Sequence, residues 1–295
     1  MAATIIDGKK IADSIRQDIR RETERLRASR GITPGLAFIL VGENPASQSY
    51  VRMKGRACEE AGIYSVTEDL PERTSEGSLL ELIHRFNGDP KLHGILVQMP
   101  LPRHISEERI INAIDYRKDV DGFHPVNVGR LMTGQDCLKP CTPLGIQQLL
   151  IRSGNDPGGK HVVIVGRSNI VGKPLLSLLI QKQRGANAVV TIAHTGAKDI
   201  SVFTRQADIL VAAMGRAGSI TGAMIRPGAV VIDVGSNRVT DKNSKHGYRF
   251  VGDVDFASAA SLAGAITPVP GGVGPMTIAM LLTNTLRAAT GGIYT

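Results

Sequence analysis

Several short runs in this chain are apolar at nearly every position, and a run of that kind leaves a strand no wet face. Residues 35–42 (GLAFILVG), 94–99 (GILVQM) and 161–165 (HVVIV) read this way, as do 188–193, 209–213 and 229–234. A strand with one solvated face alternates apolar and polar residues, whereas a continuous apolar run is buried on both sides, as in a parallel sheet covered by helices. The segments between them fit that architecture. Residues 47–61, 76–87 and 175–183 have helical patterning, the first two ending near a glycine suited to a left-handed cap. Ahead of the first run, Asp7 is a candidate N-cap for a helix whose Ile11, Ile15, Ile19 and Leu26 fall on one stripe, placing it on the outside of a sheet. Alternation of strand and helix predicts an α/β fold.

The same rhythm restarts after Pro140. With 295 residues, more than one core comfortably carries, this points to two α/β domains with a boundary near residues 138–145, where Pro140 and Pro143 stiffen the crossing. A last apolar helix, 276–289, follows the turn-rich PVPGGVGP and can belong to either domain.

Composition narrows the function classes. The net charge of +8 suits nucleic acid, an anionic membrane or small anionic ligands. The densest basic cluster, Arg16 to Arg30, is interleaved with Asp18, Glu22 and Glu24; aromatic residues are 4% with no Trp, so no stacking surface for bases is present and no nucleic-acid partner is expected. Cys58, Cys137 and Cys141 lack the number and spacing of a disulfide framework or a zinc site, which fits a reducing compartment, the cytoplasm, and no bound metal. The N-terminus has no long apolar stretch and carries Asp7 and Asp13, unlike a secretory or transit peptide, and no run reaches membrane-spanning length.

Two groups of residues carry chemistry. In VIVGRSNIVG a strand leads through Gly166 and a polar turn to Gly172 at the start of a helix, the order in which glycine lets backbone approach a pyrophosphate at a helix N-terminus. Ser168 stands where the middle glycine of the dinucleotide fingerprint usually is. The next strand ends in His194 and Thr195 rather than a carboxylate, and Arg167 lies in the turn, so a 2′-phosphate is accommodated and NADP is favoured over NAD. The alternative is an ordinary turn with Arg167 in solvent. In the other group, Tyr50 and Lys54 project from one helical face, four apart. Burial beside a polar neighbour can bring a lysine into working range for proton transfer. Gln98 ends a buried strand, where ligand clefts of parallel sheets form, and Asp121 precedes Gly122 in a turn, where it can accept two hydrogen bonds from an amino-pyrimidine edge. A surface Lys and Tyr, a strand-end amide and an Asx turn are the plainer readings.

Taken together, PASQSYVRMKGRACEEAGI, GILVQMPLP, KDVDGFHPVNVGRL, PCTPLGIQQLL, VVIVGRSNIVGKPL, GDVDF and TPVPGGVGPMTIAML resemble, in order, the bifunctional methylenetetrahydrofolate dehydrogenase/methenyltetrahydrofolate cyclohydrolase family. The resemblance implies a folate-binding catalytic domain over residues 1–142, a Rossmann-like NADP-binding domain over 143–275, a cleft between them, and helix 276–295 packed back on the first domain. It implies NADP-dependent oxidation of methylenetetrahydrofolate followed by hydrolysis of the methenyl product, with tetrahydrofolate derivatives as ligands and a homodimer as the assembly.

By the same resemblance Lys54 is the catalytic lysine, Tyr50 and Gln98 tune it, and Asp121 anchors the pterin. Ser47, Pro100, Leu101, Pro268, Gly271 and Gly272 complete the folate site. Gly166, Arg167, Ser168, Gly172, His194, Thr195, Gly272, Val273 and Thr277 hold NADP. Where the family commonly reads HS, a basic residue and Thr, this chain has His194, Thr195, Gly196 and Ala197, keeping one hydroxyl and no basic group. A dehydrogenase lacking the hydrolase step and a dinucleotide-binding protein without catalysis are the rival readings.

Overall fold

The computed structural model describes residues 3–241, 244 and 247–294. In chain order the elements are β1 (Thr4–Ile5), α1 (Gly8–Arg30), β2 (Gly35–Val41), α2 (Pro45–Glu60), β3 (Tyr64–Leu70), α3 (Glu76–Gly88), β4 (Gly94–Val97), α4 (Glu107–Ala113), α5 (Pro125–Met132) and α6 (Cys141–Arg152). They continue with β5 (His161–Val165), α7 (Gly172–Leu179), β6 (Val189–Ala193), α8 (Ser201–Thr204), β7 (Ile209–Ala212), β8 (Val230–Asp233), β9 (Asn237–Thr240), β10 (Tyr248–Val251), α9 (Phe256–Ala260), β11 (Ala265–Ile266) and α10 (Val273–Thr290). The chain forms two compact units, Asp13–Cys141 with Ile278–Thr295, and Met1–Ala12 with Thr142–Thr277.

The first unit holds a parallel sheet in the order β3-β2-β4. Every residue of β2 and β4 is buried, as their unbroken apolar sequences require. Ala37, Ile39 and Val41 pack with Leu79, Ile83 and Phe86 of α3 and with Ile95 and Val97 of β4. Strand β3, YSVTEDL, escapes a search for apolar runs because it is an edge strand with no fully buried residue. Asp7 caps α1 by accepting from the Lys10 N–H at 2.9 Å, and Ile15, Ile19 and Leu26 are buried. The cap expected after α3 is different: Gly62 after α2 has a left-handed φ of 71°, but α3 stops at Asp89 in an extended conformation.

The second unit holds a parallel sheet in the order β1-β11-β8-β7-β5-β6. From β5 the chain goes outward to β6 and then returns to the other side of β5 with β7, so the strand order reverses between β5 and β7. Strand β1, which the sequence left within the first domain, joins this sheet, Thr4 pairing with Ala265, and the residues up to Ala12 cluster with this unit. Two exposed residues give no pattern from which β1 could be read. Helix α7 begins at Gly172 and ends at Leu179, earlier than the expected 183, because the Ala188 N–H returns to the Leu179 carbonyl at 3.0 Å. Strands β9 and β10 pair antiparallel as a separate ribbon.

Candidate functional site

Helix α2 is capped by the Asn44 side chain, which accepts from the Ala46 N–H at 3.0 Å and the Ser47 N–H at 3.2 Å, with Pro45 at its first turn. Its inward stripe is Ser47, Val51, Lys54, Ala57 and Cys58. Helical spacing therefore puts a lysine where an apolar residue would ordinarily be, and Lys54 is only 4% exposed. Strand β4 supplies its partner. The Gln98 N–H extends the ladder to the Ile39 carbonyl at 2.8 Å, and its side-chain Nε2 donates to the Met99 carbonyl at 2.7 Å. That second bond fixes the amide so that Oε1 accepts from Lys54 Nζ at 3.0 Å. The Tyr50 ring centroid lies 4.5 Å from Nζ. Lys54 and Tyr50 are thus not surface neighbours, and Gln98 serves both backbone and lysine.

Burial lowers the pKa of Lys54 from its ordinary 10.5, while Asp121, then Cys141 and Cys58, oppose the shift. Burial raises that of Asp121, against the pull of Lys54. Burial draws both the amine and the carboxyl toward neutrality, and the attraction between them holds each shift back. The Asx turn weighed for Asp121 belongs to Asp119. Its carboxylate accepts from the Gly122 N–H at 3.1 Å, the His124 N–H at 2.8 Å and Asn127 Nδ2 at 2.9 Å, which leaves the half-buried Asp121 side chain free of that duty. Gly122 has a φ of 73°, and a Cβ there would sit 2.5 Å from the Lys139 carbonyl carbon. Asn284 of α10 ties the turn to residue 139, donating to the Val120 and Lys139 carbonyls at 2.8 and 2.7 Å.

Number and spacing assign the cysteines no role, yet two of them border Lys54. Burial pushes Cys58 up to about 12 and Cys141 well above its ordinary 9.0, so both stay protonated and serve as small packing groups; Cys141 Sγ donates to the Val120 carbonyl at 3.2 Å. Helical spacing alone puts Cys58 one turn from Lys54 on the same stripe, whereas Cys141 is brought to it only by the fold. Of the remaining folate candidates in this unit, Ser47 is buried on α2, Pro100 follows a cis bond from Met99 and is exposed, and Leu101 is half-buried.

The other candidates lie in the second unit. Gly166 ends β5 with a φ of 131°, and a Cβ there would lie 2.2 Å from the Ala213 carbonyl oxygen. A Cβ at Gly172 would lie 2.1 Å from the Gly166 oxygen. The turn is as tight as a phosphate-binding loop has to be. Ser168 uses its Oγ to accept from the Val171 N–H at 3.1 Å and the Gly172 N–H at 3.4 Å, which accounts for a hydroxyl where glycine is usual. Arg167 Nη1 comes within 3.4 Å of His194 Nε2, and His194 Nδ1 accepts from the Gly196 N–H at 3.0 Å. That bond assigns the neutral imidazole proton to Nε2, so two donors face outward side by side where β5 and β6 end. Thr195 is exposed beside them. Residues 268–273 lead into α10: Gly271 accepts from the Lys9 N–H at 3.0 Å, a Cβ at Gly272 would lie 2.6 Å from the Pro268 oxygen, Val273 is buried, and Thr277 Oγ1 is 3.0 Å from Thr142 Oγ1. Among the described residues no group of three or more His, Cys, Asp or Glu can hold a metal, and no helix is long and apolar enough to cross a membrane.

Comparison with known proteins matches both halves of the chain. The sequence profile of the tetrahydrofolate dehydrogenase/cyclohydrolase catalytic domain matches residues 6–121, and that of the NAD(P)-binding domain of the same enzymes matches residues 140–292. The bifunctional protein FolD of Syntrophus aciditrophicus (strain SB) is 57% identical over 289 residues, covering 98% of each chain. Among solved structures, the bifunctional FolD methylenetetrahydrofolate dehydrogenase/cyclohydrolase of Campylobacter jejuni superposes with a TM-score of 0.92 at 46% identity, covering 98% of this chain and 99% of that one. The methylenetetrahydrofolate dehydrogenase-cyclohydrolase of Trypanosoma brucei, complexed with NADP and an inhibitor, gives 0.93 at 39% identity, covering 98% of each.

Proposed function

This chain belongs to the tetrahydrofolate dehydrogenase/cyclohydrolase family, and from that premise we propose that it oxidises 5,10-methylenetetrahydrofolate with NADP and hydrolyses the resulting 5,10-methenyl compound to 10-formyltetrahydrofolate. The observation that carries the hydrolytic half is the buried Lys54, held by Gln98 and balanced by Asp121. A dehydrogenase alone has no need of a lysine able to lose its proton. A binding protein without catalysis has no need of it either.

The residues of the second unit fit NADP. The Gly166 and Gly172 approach is one that a Cβ would fill, and Arg167 with His194 offers two donors for a 2′-phosphate with no carboxylate between them. In this reading Gly166, Ser168 and Gly172 take the pyrophosphate, Arg167, His194 and Thr195 the 2′-phosphate, and Gly272, Val273 and Thr277 the nicotinamide end. The nicotinamide of bound NADP supplies the hydride acceptor.

In the first unit Asp121 anchors the pterin, with Ser47, Tyr50, Gln98, Pro100 and Leu101 along the folate; in the second unit Pro268, Gly271 and Gly272 are the folate candidates. Hydride departure leaves an amidinium-like carbon that is already electrophilic. Neutral Lys54 takes one proton from the attacking water at Nζ and, as the ammonium, returns it to the ring nitrogen as the carbon–nitrogen bond breaks; the remaining hydroxyl proton leaves to solvent as the formyl carbonyl forms, the one proton the hydrolysis releases. Gln98 orients Nζ throughout, and the Tyr50 ring supports the ammonium stage. Assembly as a homodimer and a cytoplasmic location complete the proposal. An absorbance assay that follows NADPH and the methenyl chromophore separately tests it: NADPH formation with decay of the methenyl absorbance supports two activities, NADPH with stable methenyl product reduces the protein to a dehydrogenase, and the absence of both changes refutes the proposal.

A further inference from the structure

The carboxylates of Asp233 and Asp253 lie in the second unit, are given no role above, and are both buried. Asp253 accepts from three consecutive backbone N–H groups in the turn after β7: Met214 at 2.6 Å and Gly215 at 2.8 Å on one oxygen, Arg216 at 2.9 Å on the other. Its second oxygen also accepts from Asn237 Nδ2 at 2.8 Å, at the start of β9. Asp233, ending β8, holds Asp253 in turn. It accepts from the Asp253 N–H at 2.9 Å, the Val254 N–H at 3.0 Å and the Gly235 N–H at 2.9 Å, while its own N–H donates to Thr267 Oγ1 at 2.8 Å. The fit is close enough to dictate its neighbours. A Cβ at Gly252 would lie 1.7 Å from Asp233 Oδ2, and one at Gly235 would lie 2.5 Å from Asp253 Oδ1.

The location of the clamped turn gives it meaning. Strand order reverses between β5 and β7, and in open parallel sheets ligands bind outside the carboxyl ends of the strands at that reversal. One wall of the crevice is the loop that begins at Gly166. The other begins at Ala213, whose carbonyl occupies the space a Gly166 side chain would need. We infer that Asp253 is a positioning residue for the dinucleotide: it fixes the 213–216 turn and Asn237 as the wall facing the Gly166 loop. The inference rests on the NADP reading above. A carboxylate is required because only acceptors can meet three N–H groups and an amide NH2 at once; an asparagine would turn its own NH2 toward donors.

The test is Asp253→Asn in the full-length protein, read as the KM for NADP against kcat in methylenetetrahydrofolate oxidation. Loss of charge-assisted bonds to the turn raises the KM for NADP roughly ten- to a hundredfold, with kcat at saturating NADP falling much less. A variant with the parent KM, or one whose kcat alone falls, overturns the inference, because a merely structural anchor changes the amount of competent enzyme and not its affinity. If Asp253→Asn does not fold, Asn237→Ala decides: it removes a single bond of the same clamp, and a KM several-fold above the parent supports the role while a parent KM refutes it. A parent protein that shows no saturable dependence on NADP refutes the cofactor reading itself, and this inference with it.

Discussion

Replacing Gln98 by Leu keeps the volume beside Lys54 and removes the acceptor that holds Nζ at 3.0 Å. A hydrogen bond from an ammonium contributes about 1.5 to 3 kcal/mol and one from a neutral amine about 0.5 to 1.5. The difference, roughly 1 to 1.5 kcal/mol, is the preference Gln98 gives the charged form, and it corresponds to about one pH unit. Burial already lowers the pKa of Lys54; without Gln98 it falls about one unit further. Since the neutral amine is the base, hydrolysis rises with pH through that value, so the rising limb of the pH–rate profile for methenyltetrahydrofolate hydrolysis moves about one unit toward acid. Its plateau also drops, because the amine is no longer aimed. Stability shifts in the same sense: a depressed lysine pKa penalises the folded state at low pH, and the penalty is relieved as pH rises from the folded value toward 10.5, a window that opens earlier in the variant. A profile whose limb stays within about 0.3 unit of the parent refutes the claim that Gln98 sets the protonation of Lys54.

Three further outcomes are expected. Arg167→Ala weakens NADP roughly ten- to a hundredfold more than NAD in equilibrium binding, and equal losses place the 2′-phosphate elsewhere. Asp121→Ala raises the KM for folate substrates in both reactions together, and parent values would leave Asp121 a turn residue only. Asp233 is raised to about 6 from 3.8 by burial, so the folded protein keeps a proton that the unfolded chain loses, and raising the pH across that window costs up to about 3 kcal/mol. Urea denaturation at pH 4 and pH 6.5 checks this: the stability of the parent relative to Asp233→Asn declines between the two, and a constant difference contradicts it.

The buried strands were legible because an apolar run such as FILV or VVIV has one physical outcome. Edge strands were not. β3 carries Thr67, Glu68 and Asp69 because one of its sides has no neighbour, and β1 is too short for any pattern, which is why its place in the second unit's sheet was not read. Lys54, Tyr50, Gln98 and Asp121 could be named because helical spacing and strand ends are local properties. That they sit together could not be read from spacing, since Lys54 and Gln98 are brought together by the pairing of β2 with β4. Asp119 and Asp253 were missed for a related reason: an aspartate that takes several backbone N–H groups looks, in sequence, like any other aspartate. The GDVDF segment carried the signal, because Gly252 beside Asp253 marks a backbone approach too close for a side chain.

In the proposed function Lys54 is the group that moves the proton in hydrolysis. Lys54→Met preserves most of the side-chain length and apolar contact while removing Nζ. The direct measurement is the rate at which the purified, folded variant converts methenyltetrahydrofolate to 10-formyltetrahydrofolate, corrected for the uncatalysed reaction and run without NADP so that only the second step is seen. General acid–base catalysis contributes about a hundred- to ten-thousandfold, and the enzymatic rate is expected to fall by at least the lower figure, with oxidation of methylenetetrahydrofolate in the same preparation reduced less. Hydrolysis at the parent rate would contradict the account.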